Sequence, residues 1–332
     1  MRTVFQGEHF TDEVRSAQRK PHPLLMILIF IVILAVSQLV PMAIEIPLGR
    51  VMSRVFEDSQ ALYSGFMTGI SLILTAVGII TAILYCRLIE RRSLAGMGLV
   101  RGKCVRYYVL GAALGTMMFS ASVGICVITG AVRYIGTDVY SAPIFVLICV
   151  GWLIQGAEEE ILCRGLLMGS LCAYNSSRKD ISLQQASLDS NQGDIGDKRR
   201  QLAAARMPLW GAVLINSVFF AVLHVFNGGF NPIAFVNLTL FGLFMSVMAL
   251  RFNSIIPCCA AHSLWNLAQG NIFGLPVSGA TSGPSVWRFE LLPDMALWTG
   301  GEFGIEGGLG TTAVLAVMTA CLMFSPAKND KQ

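Results

Sequence analysis

Apolar runs of about 20 residues recur along this chain, and they constrain its fold more than any other feature. A helix of this length is what is needed to cross a hydrocarbon core about 30 Å thick. The composition agrees, because 54% of the 332 residues are hydrophobic and 13% are charged, whereas ordinary globular domains have about 25% charged residues. The sequence therefore predicts an all-α, polytopic membrane protein.

About eight transmembrane helices are predicted, with both termini on the cytoplasmic side. The predicted spans are residues 23–45, 61–86, 107–132, 142–173, 207–226, 232–250, 254–273 and 308–325. With this topology, 19 of the 24 Lys and Arg residues lie in cytoplasmic segments and four lie in external loops. Such a bias is the positive-inside rule. The charge layout and the short loops favour a bacterial cell membrane.

Two longer connections stand out from the apolar runs. Residues 174–206 are rich in Ser, Gln and Asp, and they have too little apolar surface to fold alone, so they are predicted to be a polar cytoplasmic insert. Residues 274–307 are rich in Gly and Pro and are predicted to be an external loop, either a cap on the outer face or a passive connection. The basic residues are spread over loops, so no nucleic-acid partner is predicted.

Small residues and cysteines in the spans are interpreted as packing groups. Gly111 and Gly115 in GAALG have the small-xxx-small spacing that lets helices approach closely. The nine cysteines fall almost entirely in apolar segments and form no CxxC motif. They are predicted to be buried thiols rather than disulfides or metal ligands.

Charged side chains occur inside one predicted span, in the stretch QGAEEEILCRG at residues 155–165. A charge at the bilayer centre costs about 2.5–3.5 kcal/mol, so such residues are functional candidates. Glu160 and Arg164 are four residues apart on one helical face and are predicted to pair. Glu159 points away from Glu160 and is free for another task, whereas Glu158 has no assigned role.

Histidines lie inside two later spans. His224 follows Phe220 by one turn in SVFFAVLHVFNGG, and His262 precedes Asn266 by one turn in CCAAHSLWN. Each pair alone is compatible with packing or an interhelical hydrogen bond. Three spans with polar groups at helical spacing instead favour one shared site.

These side chains suggest a hydrolase that uses water inside the bilayer. Glu159 and a neutral His224 would hold and deprotonate a water molecule, while His262 and Asn266 would donate hydrogen bonds to a developing oxyanion. A peptide bond is the plausible target. The alternative is a zinc ion held by Glu159, His224 and His262. HExxH is absent, so the interpretation without a cofactor or metal is favoured.

The three motifs in this order resemble the CPBP family, the CAAX-processing and bacteriocin-processing intramembrane endopeptidases, also called Abi proteins. The motifs are Glu159-Glu160-x-x-x-Arg164, Phe220-x-x-x-His224 and His262-x-x-x-Asn266. The segment SLAGMGLVRG at 93–102 is similar to the lead-in of that domain. The chain departs from the family at Cys163, where Phe is usual, and in its long insert.

The resemblance implies a domain organisation. Residues 90–273 would be the CPBP-like protease domain, which contains the insert. Outside this domain, the predicted spans make residues 1–22 a cytoplasmic tail, 23–89 the first two transmembrane helices, and 308–332 the last transmembrane helix and tail.

The resemblance also implies roles. Glu159 and His224 would activate water, and His262 and Asn266 would form the oxyanion hole, in a glutamate-dependent protease. Its partners would be the lipid bilayer and a peptide or protein substrate at the membrane, prenylated only if the organism prenylates proteins. The alternative class is a non-catalytic scaffold, an immunity protein or a transporter that uses the same polar cluster.

One conflict concerns depth in the membrane. With straight helices that rise about 1.5 Å per residue, Glu159 would lie toward the inner side of its span and His224 toward the outer side. Either a helix end is shifted, or one helix is tilted or recessed.

Overall fold

The computed structural model describes residue 14 and residues 17–100, 102–137, 141–174, 208–281 and 283–325. Most of the predicted insert and parts of both terminal tails lie outside the described residues. The described chain is mainly helical, with one two-stranded antiparallel ribbon. The prediction of a mainly helical fold is therefore confirmed, whereas the two-stranded ribbon was not predicted.

Helices account for every predicted span. The described α-helices are α1 (Pro23–Val55), α2 (Gln60–Leu74), α3 (Ala76–Leu84), α4 (Cys104–Ile128), α5 (Ala142–Glu160), α6 (Pro208–Val222), α7 (Pro232–Phe252), α8 (Ile256–Leu267), α9 (Ala296–Thr299) and α10 (Leu309–Phe324). Three helices continue as π-helix: α3 into Tyr85–Glu90, α5 into Ile161–Met168 and α8 into Ala268–Ile272. The strands are β1 (Val132–Gly136) and β2 (Arg288–Leu291).

Four helical segments of the described chain are long and apolar enough to cross a membrane. They are Pro23–Val55, Gln60–Glu90, Cys104–Ile128 and Pro232–Phe252. Helices α6 and α10 are apolar but shorter. The remaining two predicted spans, α5 and α8, carry the polar residues described above. The structure thus supports a membrane protein but does not confirm the count of eight spans.

The conflict of depth concerns α5 and the end of α6. Glu159 lies near the middle of a continuous helix from residue 142 to residue 174 rather than toward one end of it. Helix α6 ends at Val222, so His224 lies in the turn that follows the helix. Irregular backbone at membrane depth is tolerated where it is buried in protein or lines a cavity.

Helix α8 is packed between α4 and α5 through glycines. Gly115 of α4 lies against the backbone carbonyl of Ala261, and Gly111 lies one turn earlier against that of Pro257. A Cβ atom at either glycine would overlap these carbonyls. Gly156 of α5 makes a similar close approach to α8 on its other side. The predicted close approach at GAALG is confirmed, and it fixes the helix that carries His262.

We expect Gly115→Ala to destabilise the protein, because the new methyl group forces α4 and α8 apart. Overpacking of this kind costs about 1–3 kcal/mol. Gly124→Ala is the matched control, since it lies on the same helix and its new methyl group would enter open space. Thermal unfolding in detergent should show a lower melting temperature for Gly115→Ala, and an unchanged or higher one for Gly124→Ala. Equal melting temperatures would contradict the expectation.

The segment between α8 and α10 folds back over one end of the helices. Strand β2 pairs with β1, which follows α4 directly, with Val132 opposite Leu291. Val286 and Trp287 donate backbone hydrogen bonds to Asn271 and Ile272 at the end of α8, each 2.8 Å long. This segment is therefore tied to the helices rather than passive. The nine cysteines are all free thiols, and most are buried, as predicted.

Candidate active site

The four predicted catalytic side chains come together around one cavity. A space of about 350 Å³ is lined by Glu159 of α5, His224 after α6, and His262 and Asn266 of α8. Phe220 lines it as well. The three motifs, which are distant in sequence, therefore meet at one place in the fold.

Glu159 faces the cavity, and its side chain is 24% exposed. Its Oε1 accepts a hydrogen bond from Gln155 Nε2, and its Oε2 lies 3.7 Å from His262 Nε2. Gln155 Oε1 in turn accepts from Asn266 Nδ2 at 3.0 Å. Gln155 thus links the carboxylate to the amide on α8. The sequence analysis missed it, although its position four residues before Glu159 places it on the same helical face.

Glu160 lies behind the cavity and is fully buried with Arg164. Arg164 Nη1 donates to Glu160 Oε1 at 2.9 Å, which agrees with the predicted pair. The same carboxylate oxygen lies 2.8 Å from His262 Nδ1, a contact that the sequence analysis did not predict. Arg164 Nη2 also reaches the carbonyl of Gly242 in α7 at 3.3 Å. The pair therefore holds α5, α7 and α8 together.

The protonation of His262 follows from its partner. An ionised carboxylate paired with an arginine only accepts hydrogen bonds, so His262 Nδ1 carries the hydrogen and donates it to Glu160. His262 Nε2 then carries a second hydrogen only when the ring is an imidazolium. His262 is 4% exposed, so its charge state is governed by the side chains around it.

His224 is oriented by the end of α6. Its Nδ1 donates to the backbone carbonyl of Phe220 at 2.8 Å, because a carbonyl only accepts. In the neutral ring, Nε2 is therefore left with a lone pair. The Phe220 ring lies 4.9 Å from the His224 ring and 5.9 Å from the His262 ring. Arg164 Cζ stands 4.8 Å from its centroid, within the range of a cation–π contact. Phe220 thus packs against the guanidinium group of Arg164 and against both histidine rings.

Glu158 points in another direction. It is 4% exposed, packs against Gly78 of α3, and does not line the cavity. Three consecutive glutamates therefore have three different surroundings: helix packing, the cavity and a buried ion pair. This division results from the rotation of about 100° per residue around a helix.

The segment between α8 and α10 contributes residues to the site that the sequence analysis missed. Val277, Ser278, Gly279 and Ala280 line the cavity, and so does Glu306, which is 7% exposed. The only signal for Glu306 was a lone acidic residue in GIEGGLG, next to the last apolar run.

Within the described residues, no group of three or more His, Cys, Asp or Glu side chains is arranged to hold a metal ion. Glu159 and His262 approach each other, and His224 lines the same cavity, but the three do not form a ligand set in this arrangement.

Comparison with known proteins gives one family match, which covers part of the chain. Residues 141–268 match the family described as "Type II CAAX prenyl endopeptidase Rce1-like". This segment is therefore similar to CAAX proteases. No match was found among curated proteins or among solved structures.

The CAAX protease segment covers less than half of the chain, but it includes α5, α6, α7 and α8 and all three motifs. The resemblance predicted from the motifs is thereby confirmed. The match is shorter than the predicted extent of 90–273, and the lead-in at 93–102 lies outside it. The cavity-lining residues 277–280 and Glu306 also lie outside it.

Proposed function

We propose that the protein is a glutamate-dependent intramembrane endopeptidase that hydrolyses a peptide bond of a membrane-associated peptide or protein. The observation that carries this proposal is the convergence of Glu159, His224, His262 and Asn266 on one cavity. The match to an intramembrane CAAX-type protease family supports the reaction class.

In the proposed reaction, Glu159 and His224 hold the attacking water. Glu159 takes a proton from the water while the water oxygen bonds to the carbonyl carbon of the substrate. The carbonyl oxygen thereby becomes an oxyanion. The same proton then passes to the leaving nitrogen as the carbon–nitrogen bond breaks. General base catalysis of this kind contributes about 10²–10⁴-fold to the rate.

The proposed oxyanion donors are His262 Nε2 and Asn266 Nδ2. Asn266 has two amide hydrogens, of which Gln155 accepts one, so the second is available. His262 is a donor at Nε2 only as an imidazolium, because Nδ1–H is directed at Glu160. Each donor of this kind contributes about 10²–10³-fold.

The charges around His262 favour this protonated form. Glu159 and Glu160 supply two negative charges, and Arg164 supplies one positive charge. An imidazolium at His262 makes the four side chains neutral together, which lowers the cost of burying them.

The substrate is proposed to be a peptide or protein at the membrane. Family membership extends to CAAX prenyl endopeptidases, but the charge layout of this chain favours a bacterial membrane and a substrate without a prenyl group. The proposed topology places both termini in the cytoplasm, in agreement with the positive-inside rule.

The test is cleavage by the purified full-length protein in liposomes. Membrane-anchored peptides with and without a prenyl group are incubated with the protein, and the products are identified by mass. We expect cleavage at a single bond that persists after exhaustive chelation and dialysis. Activity that is lost on chelation and restored by Zn²⁺ would replace this mechanism with the zinc-dependent one. Failure to cleave any peptide would favour the scaffold or transporter.

A further inference from the structure

The outer wall of the cavity is a tight turn at Val277–Ala280. Val277 and Ala280 exchange backbone hydrogen bonds of 2.8 and 2.9 Å, which close the turn. Ser278 has a φ of 46°, in the left-handed region that favours glycine. A serine in this conformation persists where the surrounding contacts hold it, and such positions cluster at ligand sites.

Glu306 supplies those contacts. Its Oε2 accepts hydrogen bonds from the backbone N–H and the hydroxyl of Ser278, at 2.9 and 2.8 Å. Its Oε1 accepts from Trp265 Nε1 at 3.0 Å. Trp265 lies on α8 between His262 and Asn266. One buried carboxylate therefore ties the turn to the helix that carries the proposed oxyanion donors.

The turn is also attached to the segment that carries His224. Asn227 Nδ2 donates to the carbonyl of Ser278 at 3.0 Å. Gly279 lies so close to the backbone of Gly228 that a Cβ atom there would overlap it. The turn thus joins the two segments on either side of the cavity and cannot move without releasing both.

We propose that Val277–Ala280 is the substrate-facing outer wall of the cavity and that Glu306 is the positioning residue that holds this wall in place. The wall presents Val277, Gly279 and Ala280, which are small and uncharged. Because the turn is held from both sides, it cannot yield to a larger side chain, so a small apolar side chain fits next to the scissile bond better than a bulky one. This inference rests on the proposed function, but its residues lie outside the segment that matches the family.

The first test is Glu306→Gln in the full-length protein. Glutamine keeps the size of the side chain, but only its amide oxygen accepts hydrogen bonds, so the bonds from Ser278 or the bond from Trp265 must be lost and the wall loosens. For a peptide with Ala beside the scissile bond, we expect KM to rise about tenfold and kcat to change less. A tenfold change corresponds to the free energy of about one hydrogen bond to a charged group. The preference for Ala over Phe at that position should fall by a similar factor.

Glu302→Gln is the matched control. Glu302 is exposed, lies four residues away and undergoes the same chemical change. It should leave KM and the Ala-to-Phe preference as in the wild type.

Ser278→Ala is a milder second variant, because it removes the hydroxyl donor and keeps the backbone N–H donor. It should lower the preference for Ala over Phe as well, and it provides this test even if Glu306→Gln fails to fold.

Hydrogen exchange gives a readout that does not depend on cleavage. In the wild type, the amide of Ser278 is bonded to Glu306 and that of Gly279 to the carbonyl of Phe303 at 2.9 Å. A peptide fragment covering 277–280 should exchange faster in Glu306→Gln and unchanged in Glu302→Gln.

Three results are decisive. Equal exchange and equal selectivity in the two variants would overturn the inference and leave the proposed function intact. A fall in melting temperature with unchanged selectivity would reduce Glu306 to a structural residue and would also overturn it. If the wild type cleaves no peptide but the fragment 277–280 still exchanges faster in Glu306→Gln than in Glu302→Gln, the proposed function is overturned. The attachment of the wall by Glu306 is then retained.

Discussion

Glu159→Gln is expected to lower kcat by about 10²–10⁴-fold, the contribution of a positioned general base. Glutamine has the same size and still accepts a hydrogen bond from Gln155, so the melting temperature should change little. The residual rate should come from the oxyanion donors and the binding of the peptide. The measurement is peptide cleavage in liposomes under saturating substrate, with thermal unfolding of the same preparation.

Glu158→Gln is the matched control for this loss. It makes the same chemical change at the preceding residue, but that side chain packs against Gly78 of α3 and does not line the cavity. Its kcat should stay within about twofold of the wild type, well below the effect of a general base. If both variants lose activity equally, the loss reflects damage to α5, and the role of Glu159 as the base is wrong.

Arg164→Met is expected to lower the free energy of unfolding by about 3–5 kcal/mol, because it leaves an uncompensated charge in the protein interior. Arg164 and Glu160 are both 0% exposed. The double variant Glu160→Gln with Arg164→Met should recover part of this loss, since neither side chain then carries a buried charge. Chemical unfolding in mixed micelles gives both values.

A surface pair provides the contrast for this prediction. Arg133 and Glu290 form an ion pair on the β1–β2 ribbon, with side chains 65% and 45% exposed. Arg133→Met should cost less than about 1 kcal/mol, because exposed ion pairs contribute little. If Arg133→Met and Arg164→Met lower the free energy of unfolding by similar amounts, burial of the ion pair does not determine the loss of stability. A double variant less stable than Arg164→Met alone would contradict the charge argument.

The helices and the motif pairs were predictable because they depend on local sequence. Apolar runs indicate helices, and a spacing of four residues places Glu160 beside Arg164. Gln155 could have been predicted by the same rule, because it lies four residues before Glu159. In contrast, nothing local links His262 to Glu160, which are 102 positions apart. That contact depends on the packing of α8 against α5, and this packing is set by Gly115 and Gly156, each recognisable only once its partner helix is known.

The loop between α8 and α10 was the least predictable part of the site. Its role depends on hydrogen bonds between residues far apart in the sequence, such as Glu306 with Ser278 and Trp265. Neither the periodicity nor the composition of a Gly-rich loop specifies such contacts. The end of α6, two residues before His224, was similarly hard to predict, because helix ends are the features that apolar patterns locate least well.

The uneven lengths of the helices have a consequence for the surrounding lipid. Helix α10 has 16 residues and packs against α7. At about 24 Å, it is shorter than a hydrocarbon core about 30 Å thick. Helix α1, with 33 residues, is longer than this core. Spans of such different length cannot all match one hydrocarbon thickness, so tilting, thinning of the bilayer or snorkelling of flanking side chains has to make up the difference.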